Sequence, residues 1–325
     1  MVEQVCLRAG TRSSRLAVWQ TDVVATRLRQ AWPGLSVERV LITTLGDRIS
    51  DVPLPRLGGK GVFTRELEDA LRAGTIDLAV HSLKDLPTAL PDGLAIGAVL
   101  EREDPRDALV AASAVTIDTL PAGARVGTSS VRRRAQLLAR RPDLEVRDLR
   151  GNVPTRVDRV LAGDLDGAIL AVAGLTRLGL TAHIAEVLGT DVMLPAPGQA
   201  ALAVEVRADD ERTSSLIALL DNGDTRLATT AERSLLAELE GGCQAPVGAL
   251  ATFTSTGVMR LEGLVIGLDG HDCVRRVLEA PVTDHAAASA LGKAVAASLR
   301  AEGAGAILAR ARHALAALGL DAPEP

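Results

Sequence analysis

At 325 residues the chain is long enough for about two domains, at roughly 150 residues each, and a third is not excluded. Hydrophobic residues at 47% and charged residues at 24% are ordinary for a globular chain and exclude wholesale disorder or a coiled coil. A net charge of −5, from 36 Lys+Arg against 41 Asp+Glu, gives no bulk signature of a nucleic-acid binder, and aromatics at 1% leave little on which bases could stack.

Three cysteines are few and odd in number, which points to a reducing compartment and not to a disulfide scaffold. The N-terminus lacks a signal-peptide pattern, and no apolar run approaches the roughly 18 residues of a membrane span. The expectation is a soluble, cytoplasmic protein.

In chain order, Val5–Ala9 predicts a strand, and Thr11-Arg-Ser-Ser turns into a helix whose Leu16, Trp19 and Val23 share one face. Val37–Thr43 is the next strand. Leu45–Gly61 has no apolar period and holds two Pro and four Gly. It reads as a long loop acting as a mobile lid, with Lys60 and Phe63 at its edge. Phe63, Leu67, Ala70 and Leu71 then mark a helix, and Ile76–Val80 a buried strand. After the charged crossover Glu101–Arg106 the alternation restarts, with strands at 125–127, 144–148 and 167–172 and helices at 131–140 and 153–162. Met193–Gly198 is a Pro/Gly breaker and a return hinge; Ala201–Val206 is a strand that rejoins the first sheet. A helix at 225–240 is broken by Gly241-Gly-Cys-Gln-Ala-Pro. Strands Val247–Thr254, Val258–Leu268 and Cys273–Leu278 follow, and then two Ala-rich helices that end near Gly319. The fold class is α/β: one domain of 1–100 with 201–220, a second of 101–200, and a small α+β domain of 221–325.

Arginine is the unevenly distributed residue. Ten Arg and four acids lie between Arg125 and Arg159, and Arg132-Arg-Arg opens a helix directly after Thr128-Ser-Ser. A charge run alone reads first as a solvated helix face. This one stands at strand-to-helix turns, where free N–H groups, the helix dipole and guanidinium forks together favour an anion. Arg12 occupies the matching turn of the first domain, and Arg150 and Arg156 flank Gly151-Asn-Val-Pro. Two such edges facing each other would make a cleft for a polyanion. In Val80-His-Ser-Leu-Lys-Asp-Leu-Pro a strand ends and leaves His81, Ser82, Lys84 and Asp85 in a loop; Asp85 is either a turn residue or the acid/base group. Glu101, Glu103 and Asp104 are the reserve carboxylates. Cys6 and Cys273 sit in strand patterns and read as buried structural thiols. Cys243, in a glycine-led loop, is a candidate reactive thiol. No cysteine has metal-ligand spacing.

Taken together, Thr11-Arg-Ser-Ser-Arg-Leu-Ala-Val-Trp-Gln, Gly58-Gly-Lys-Gly-Val-Phe-Thr-Arg-Glu-Leu-Glu, Ala79-Val-His-Ser-Leu-Lys-Asp-Leu-Pro, Gly127-Thr-Ser-Ser-Val-Arg-Arg, Arg150-Gly-Asn-Val-Pro-Thr-Arg, Leu194-Pro-Ala-Pro-Gly-Gln and Glu240-Gly-Gly-Cys-Gln-Ala-Pro-Val-Gly resemble the porphobilinogen deaminase (hydroxymethylbilane synthase) family. They run in order over about residues 7–250. The resemblance implies two domains with the topology of type II periplasmic binding proteins and a third that carries a cofactor cysteine. It implies a transferase of tetrapyrrole (porphyrin, haem) biosynthesis. Four porphobilinogen molecules would be joined stepwise into linear hydroxymethylbilane, with loss of ammonia. The implied cofactor is one dipyrromethane per chain, bound through a thioether at Cys243. Asp85 would be catalytic. Lys84, Ser130, Arg132, Arg133, Arg150 and Arg156 would hold the cofactor, and Arg12, Ser14, Arg150, Arg156 and Arg177 the substrate. No metal, nucleic acid or membrane is implied, and the chain would act as a monomer. Two rivals remain on the residues alone: a carboxylate receptor of the same two-lobed fold without catalysis, and a nucleic-acid protein using the Arg cluster.

Overall fold

The computed structural model describes residues 6–48, 64–239 and 245–317. The chain forms three sheets. In the first, β1 (Cys6–Thr11), β2 (Ser36–Leu41), β3 (Leu78–Ser82), β4 (Leu94–Val99) and β10 (Leu202–Arg207) lie in the order β2-β1-β3-β10-β4. β1 is parallel to β2 and β3, whereas β10 runs antiparallel to both β3 and β4. The second sheet takes β5 (Asp107–Val110), β6 (Arg125–Gly127), β7 (Glu145–Arg147), β8 (Gly167–Ala171) and β9 (Ile184–Val187) in the order β7-β6-β8-β5-β9, with β5 antiparallel to β8 and β9. In each sheet the antiparallel strand is the one laid down directly after the chain crosses from the other. That exchange is the type II periplasmic-binding-protein arrangement.

Side chains alternate across the first sheet, so its two faces bury different helices. Leu78 and Val80 pack with Val24, Ala25 and Leu28 of α1 (Arg15–Ala31). Ala79, from the opposite face, packs with Leu67 and Leu71 of α3 (Arg65–Arg72). The second sheet repeats the plan: Leu137 of α4 (Val131–Arg140) covers one face, and Val157 and Val160 of α5 (Val153–Leu161) with Leu175 of α6 (Val172–Arg177) cover the other.

The third sheet is antiparallel, formed by β11 (Val247–Ser255), β12 (Val258–Ile266) and β13 (Cys273–Pro281). After α7 (Glu211–Ile217), which follows β10, α8 (Gly223–Glu238), α9 (His285–Ala301) and α10 (Ala304–Ala317) share its core. The α8–α9 crossing is close: a methyl group at Gly292 would strike the Ala231 carbonyl. Glu232 of α8, with no exposed surface, ties this domain to both crossovers. It accepts from Arg102 Nη1 at 2.6 Å, from the Gly198 amide at 2.7 Å and from the Ala251 amide at 2.8 Å.

Several sequence expectations change. Within the expected loop at Leu45–Gly61, Leu45–Arg48 forms a short helix (α2), and 49–63 lie outside the described residues. The buried face of α1 is Ala17, Gln20, Thr21, Val24, Ala25 and Leu28; Leu16, Trp19 and Val23 are only half-buried beside it. His81 and Ser82 belong to β3, because β10 pairs with them to the end of the strand. Cys6 and Cys273 are exposed, since each is the first residue of its strand. β4, β5 and β9, at six, four and four residues, have no period long enough to read from sequence.

Candidate functional site

Two matching turns, one in each α/β domain, carry candidate residues. β1 runs into α1 through Thr11-Arg-Ser-Ser, and β6 into α4 through Thr128-Ser-Ser. Ser14 and Ser130 are the N-caps, each accepting a backbone N–H at 3.3 and 3.4 Å, from Ala17 and Arg133. A capping hydroxyl is used as acceptor, so its own proton stays available for an anion.

On the first domain a cavity of about 70 Å³, partly open to solvent, is lined by Arg12, Ser14, Gln20, His81, Ser82 and Asp85 among others. Asp85 ends a 3-10 turn, Leu83–Asp85, that follows β3, and it is exposed to this space. The wall is built by polar pairs. Gln20 Nε2 donates to Ser82 Oγ at 2.8 Å, and Arg12 holds Asp47 through two bonds at 3.1 and 2.5 Å. Behind it, His81 Nε2 stands 3.0 Å from Glu205 Oε2, both buried.

Between the domains lies an ionic centre that the sequence reading does not contain. Asp107, at the start of β5, is 0% exposed. It accepts from Arg132 Nη2 at 2.8 Å, from Arg133 Nε and Nη2 at 3.1 and 2.7 Å, and from Gln199 Nε2 at 2.9 Å. Burial alone would push this carboxyl up, but the two guanidiniums hold it well below the usual carboxylate range. Arg132 and Arg133 also donate to the carbonyls of Leu194 and Ile169, at 2.6 and 3.0 Å. The two arginines expected to hold ligand carboxylates thus spend much of their donor capacity within the protein. Arg132 Nε is buried without a partner.

The cations around that centre are strained against their charge. Burial pulls the Lys84 ammonium down to about 8, and Arg133 and Arg132 add to this, while Asp85 and Asp107 oppose it. Burial likewise pulls the Arg156 guanidinium down to about 10, reinforced by Arg133 and Arg150 and opposed by Asp85 and Asp148. Burial also lowers Arg150. Lys84, Arg132, Arg133, Arg150 and Arg156 outnumber the carboxylates among them, Asp85, Asp107 and Asp148, and a ligand carrying several carboxylates would relieve the excess. The donor set thus fits a dipyrromethane, whose two pyrrole rings carry acetate and propionate groups.

Among the expected site residues, Arg12, Ser14 and Asp85 share the cavity, and Lys84, Arg132, Arg133, Arg150 and Arg156 share the electrostatic cluster. Ser130 caps α4 beside them. Arg177 stands apart at the crossovers: it donates to Glu103 at 3.0 Å and to the Ala200 carbonyl at 2.6 Å, with its guanidinium 5.7 Å from the Trp19 ring. Of the reserve acids, Glu103 pairs with Arg177 and Asp104 with Arg106. Cys243, Lys60 and Phe63 lie outside the described residues. Among the described residues no group of three or more His, Cys, Asp or Glu could hold a metal ion, and no helix is long and apolar enough to cross a membrane.

Residues 7–215 match the family model "Porphobilinogen deaminase, dipyromethane cofactor binding domain", and 226–301 match "Porphobilinogen deaminase, C-terminal domain". The chain is 52% identical over 303 residues to the porphobilinogen deaminase of Syntrophotalea carbinolica, covering 93% of this chain and 95% of the relative. It is 50% identical over 302 residues to that of Moorella thermoacetica, with 93% and 95% covered. Among solved structures, the methionine-binding protein MetQ overlays with a TM-score of 0.44 at 15% identity, over 68% of this chain and 91% of that one.

Proposed function

The chain belongs to the porphobilinogen deaminase family, and we propose from that premise that it joins four porphobilinogen molecules head to tail into linear hydroxymethylbilane, releasing ammonia at each step. The observation that supports the reading best is the crowding of half-buried cations, Lys84 and Arg156 among them, around one exposed carboxylate, Asp85. Lys84 drawn down to about 8 and Arg156 to about 10 await anions, and each porphobilinogen brings two carboxylates. The dipyrromethane, attached at Cys243, supplies when bound the pyrrole end to which substrate is joined.

This chain's residues do the rest. Lys84, Arg133, Arg150 and Arg156 hold carboxylates of cofactor and substrate, and the Ser14 and Ser130 hydroxyls add donors at the helix starts. Arg12 orients the incoming substrate, while Arg177 braces the crossovers through Glu103 and the Ala200 carbonyl. Asp85 accepts a hydrogen bond from the pyrrole N–H of the substrate. As the aminomethyl C–N bond breaks, ammonia leaves with the electron pair, and the carboxylate stabilises the cation left on the ring. The α-carbon of the receiving pyrrole forms the new C–C bond, and its proton passes to Asp85 and then to solvent. We further read the chain as a cytoplasmic monomer that acts on small molecules and not on nucleic acid.

The test is the intact mass of purified protein and of Cys243→Ser. The parent should carry a two-pyrrole thioether adduct that reducing agents leave in place, and Cys243→Ser should lack both adduct and ammonia release. A bare parent chain with no porphobilinogen turnover would favour a carboxylate receptor instead.

A further inference from the structure

Gln199 lies in the return crossover with 0% exposure. Its two neighbours, Gly198 and Ala200, both have φ +73°, a left-handed backbone that an alanine adopts only under strain. The packing is tight as well: a Cβ on Gly198 would stand 3.1 Å from Leu83 Cγ and 3.3 Å from the Lys84 amide nitrogen. The Gln199 side chain is fixed in turn. Its amide nitrogen donates to Asp107 Oδ1 at 2.9 Å and to the Pro105 carbonyl at 2.7 Å, while its amide oxygen accepts from Lys84 Nζ at 3.1 Å. Two acceptors on the nitrogen side and an ammonium on the oxygen side leave one orientation of the amide.

A neutral group thus stands between a cation of the first domain and a carboxylate of the second. Contact between Lys84 and Asp107 would form an internal ion pair and withdraw the ammonium from any ligand. We propose that Gln199 is a positioning residue: its amide spaces the Lys84 ammonium from the Asp107 carboxylate and aims it into the cleft, so that the charge is kept for a carboxylate of the bound pyrrole chain. This rests on reading the cleft as a polycarboxylate site. The other charged groups around the ammonium are Asp85 on its own turn and Arg132 and Arg133 on α4.

The chain contains three lysines, Lys60, Lys84 and Lys293, so NMR of Cε-labelled lysine in the purified protein as isolated can follow Lys84 by itself. Gln199→Glu places a carboxylate against the ammonium and should raise its titration midpoint by about one unit, tenfold in proton affinity. Gln199→Met keeps the volume, removes the acceptor and should lower the midpoint. Lys60 and Lys293 should not move. Opposite displacements are the signature of spacing; a packing role would move both variants alike or neither, and either result overturns the proposal. Where Gln199→Glu does not fold, Gln199→Met decides: a lowered midpoint supports the proposal and any other result overturns it. A parent without adduct or turnover would overturn the proposed function while leaving this titration as a separate measurement.

Discussion

Arg102 and Glu232 meet through two hydrogen bonds of 2.6 and 3.1 Å, a bidentate pair that fastens the outgoing crossover to the third domain. The same carboxylate receives the Gly198 amide of the return crossover. Glu232→Gln keeps the shape but leaves Arg102 partly buried without its counter-charge. It should lower stability by about 3–5 kcal/mol, the usual effect of removing one partner of a buried pair. A shift of the urea midpoint measures this. An unchanged midpoint would mean that the crossovers are held by packing alone.

Asp85 bears no comparable structural duty. It is exposed at the end of its turn. Asp85→Asn should therefore leave the stability read from urea unfolding within about 0.5 kcal/mol of the parent, as for most surface substitutions. Turnover should collapse, because the amide cannot stabilise a cation or accept the α-proton. Single-turnover kinetics on folded, cofactor-loaded protein is the check, and near-normal rates in Asp85→Asn would remove it from the mechanism.

The arginines of α4 should separate into two classes. Arg132→Leu and Arg133→Leu each take one of the two guanidiniums from the buried Asp107 carboxylate and should cost about 3 kcal/mol in stability as well as ligand holding. Arg140 pairs with Asp118 at the surface, with 53% of its side chain exposed, and Arg140→Leu should change stability by less than about 1 kcal/mol. Arg141 is not a neutral control, although it lies at the same helix end: it donates to the carbonyls of Ile117, Asp118 and Leu120. Thermal melts and activity of the three variants test the division. Equal losses for Arg132→Leu and Arg140→Leu would indicate a general charge effect.

The pH dependence of cofactor-free protein, as in Cys243→Ser, follows from Lys84. Its ammonium loses its proton at about 8 when folded, below the ordinary 10.5 of an unfolded lysine. Between those values the unfolded chain binds more protons, so stability rises with pH through this group. Below about 8 both states are protonated and the cost of burying the charge is fully present. Urea midpoints of Cys243→Ser should thus climb from pH 8 to 10 relative to the same protein carrying Lys84→Met, on top of the titration of other groups. Identical slopes would show that Lys84 is not buried as a cation.

The sequence is most legible where local signals decide. Ser130 and Asn152 cap α4 and α5 directly before their apolar periods, and both helices start where capping predicts. The carboxylate at the end of β3 and the Arg-led turns are visible as patterns too. Asp107 is not: beside Arg106 it reads as surface charge, and only the antiparallel insertion of β5 between β8 and β9 buries it. Gln199 takes its meaning from Lys84 and Asp107, which lie 115 and 92 positions away, beyond any periodicity. The missed parts of the site are those defined by contacts between domains.

The exchanged strands also set an order for synthesis. All five strands of the second sheet lie within 107–187, so that sheet has every member once β9 has emerged from the ribosome. The first sheet begins earlier but needs β10 between β3 and β4, and β10 ends at Arg207. Until then β3 and β4 present unpaired edges to the nascent chain's surroundings. The amino-terminal domain is therefore the later of the two to close during translation, and its open edges are where a holding chaperone would find its substrate.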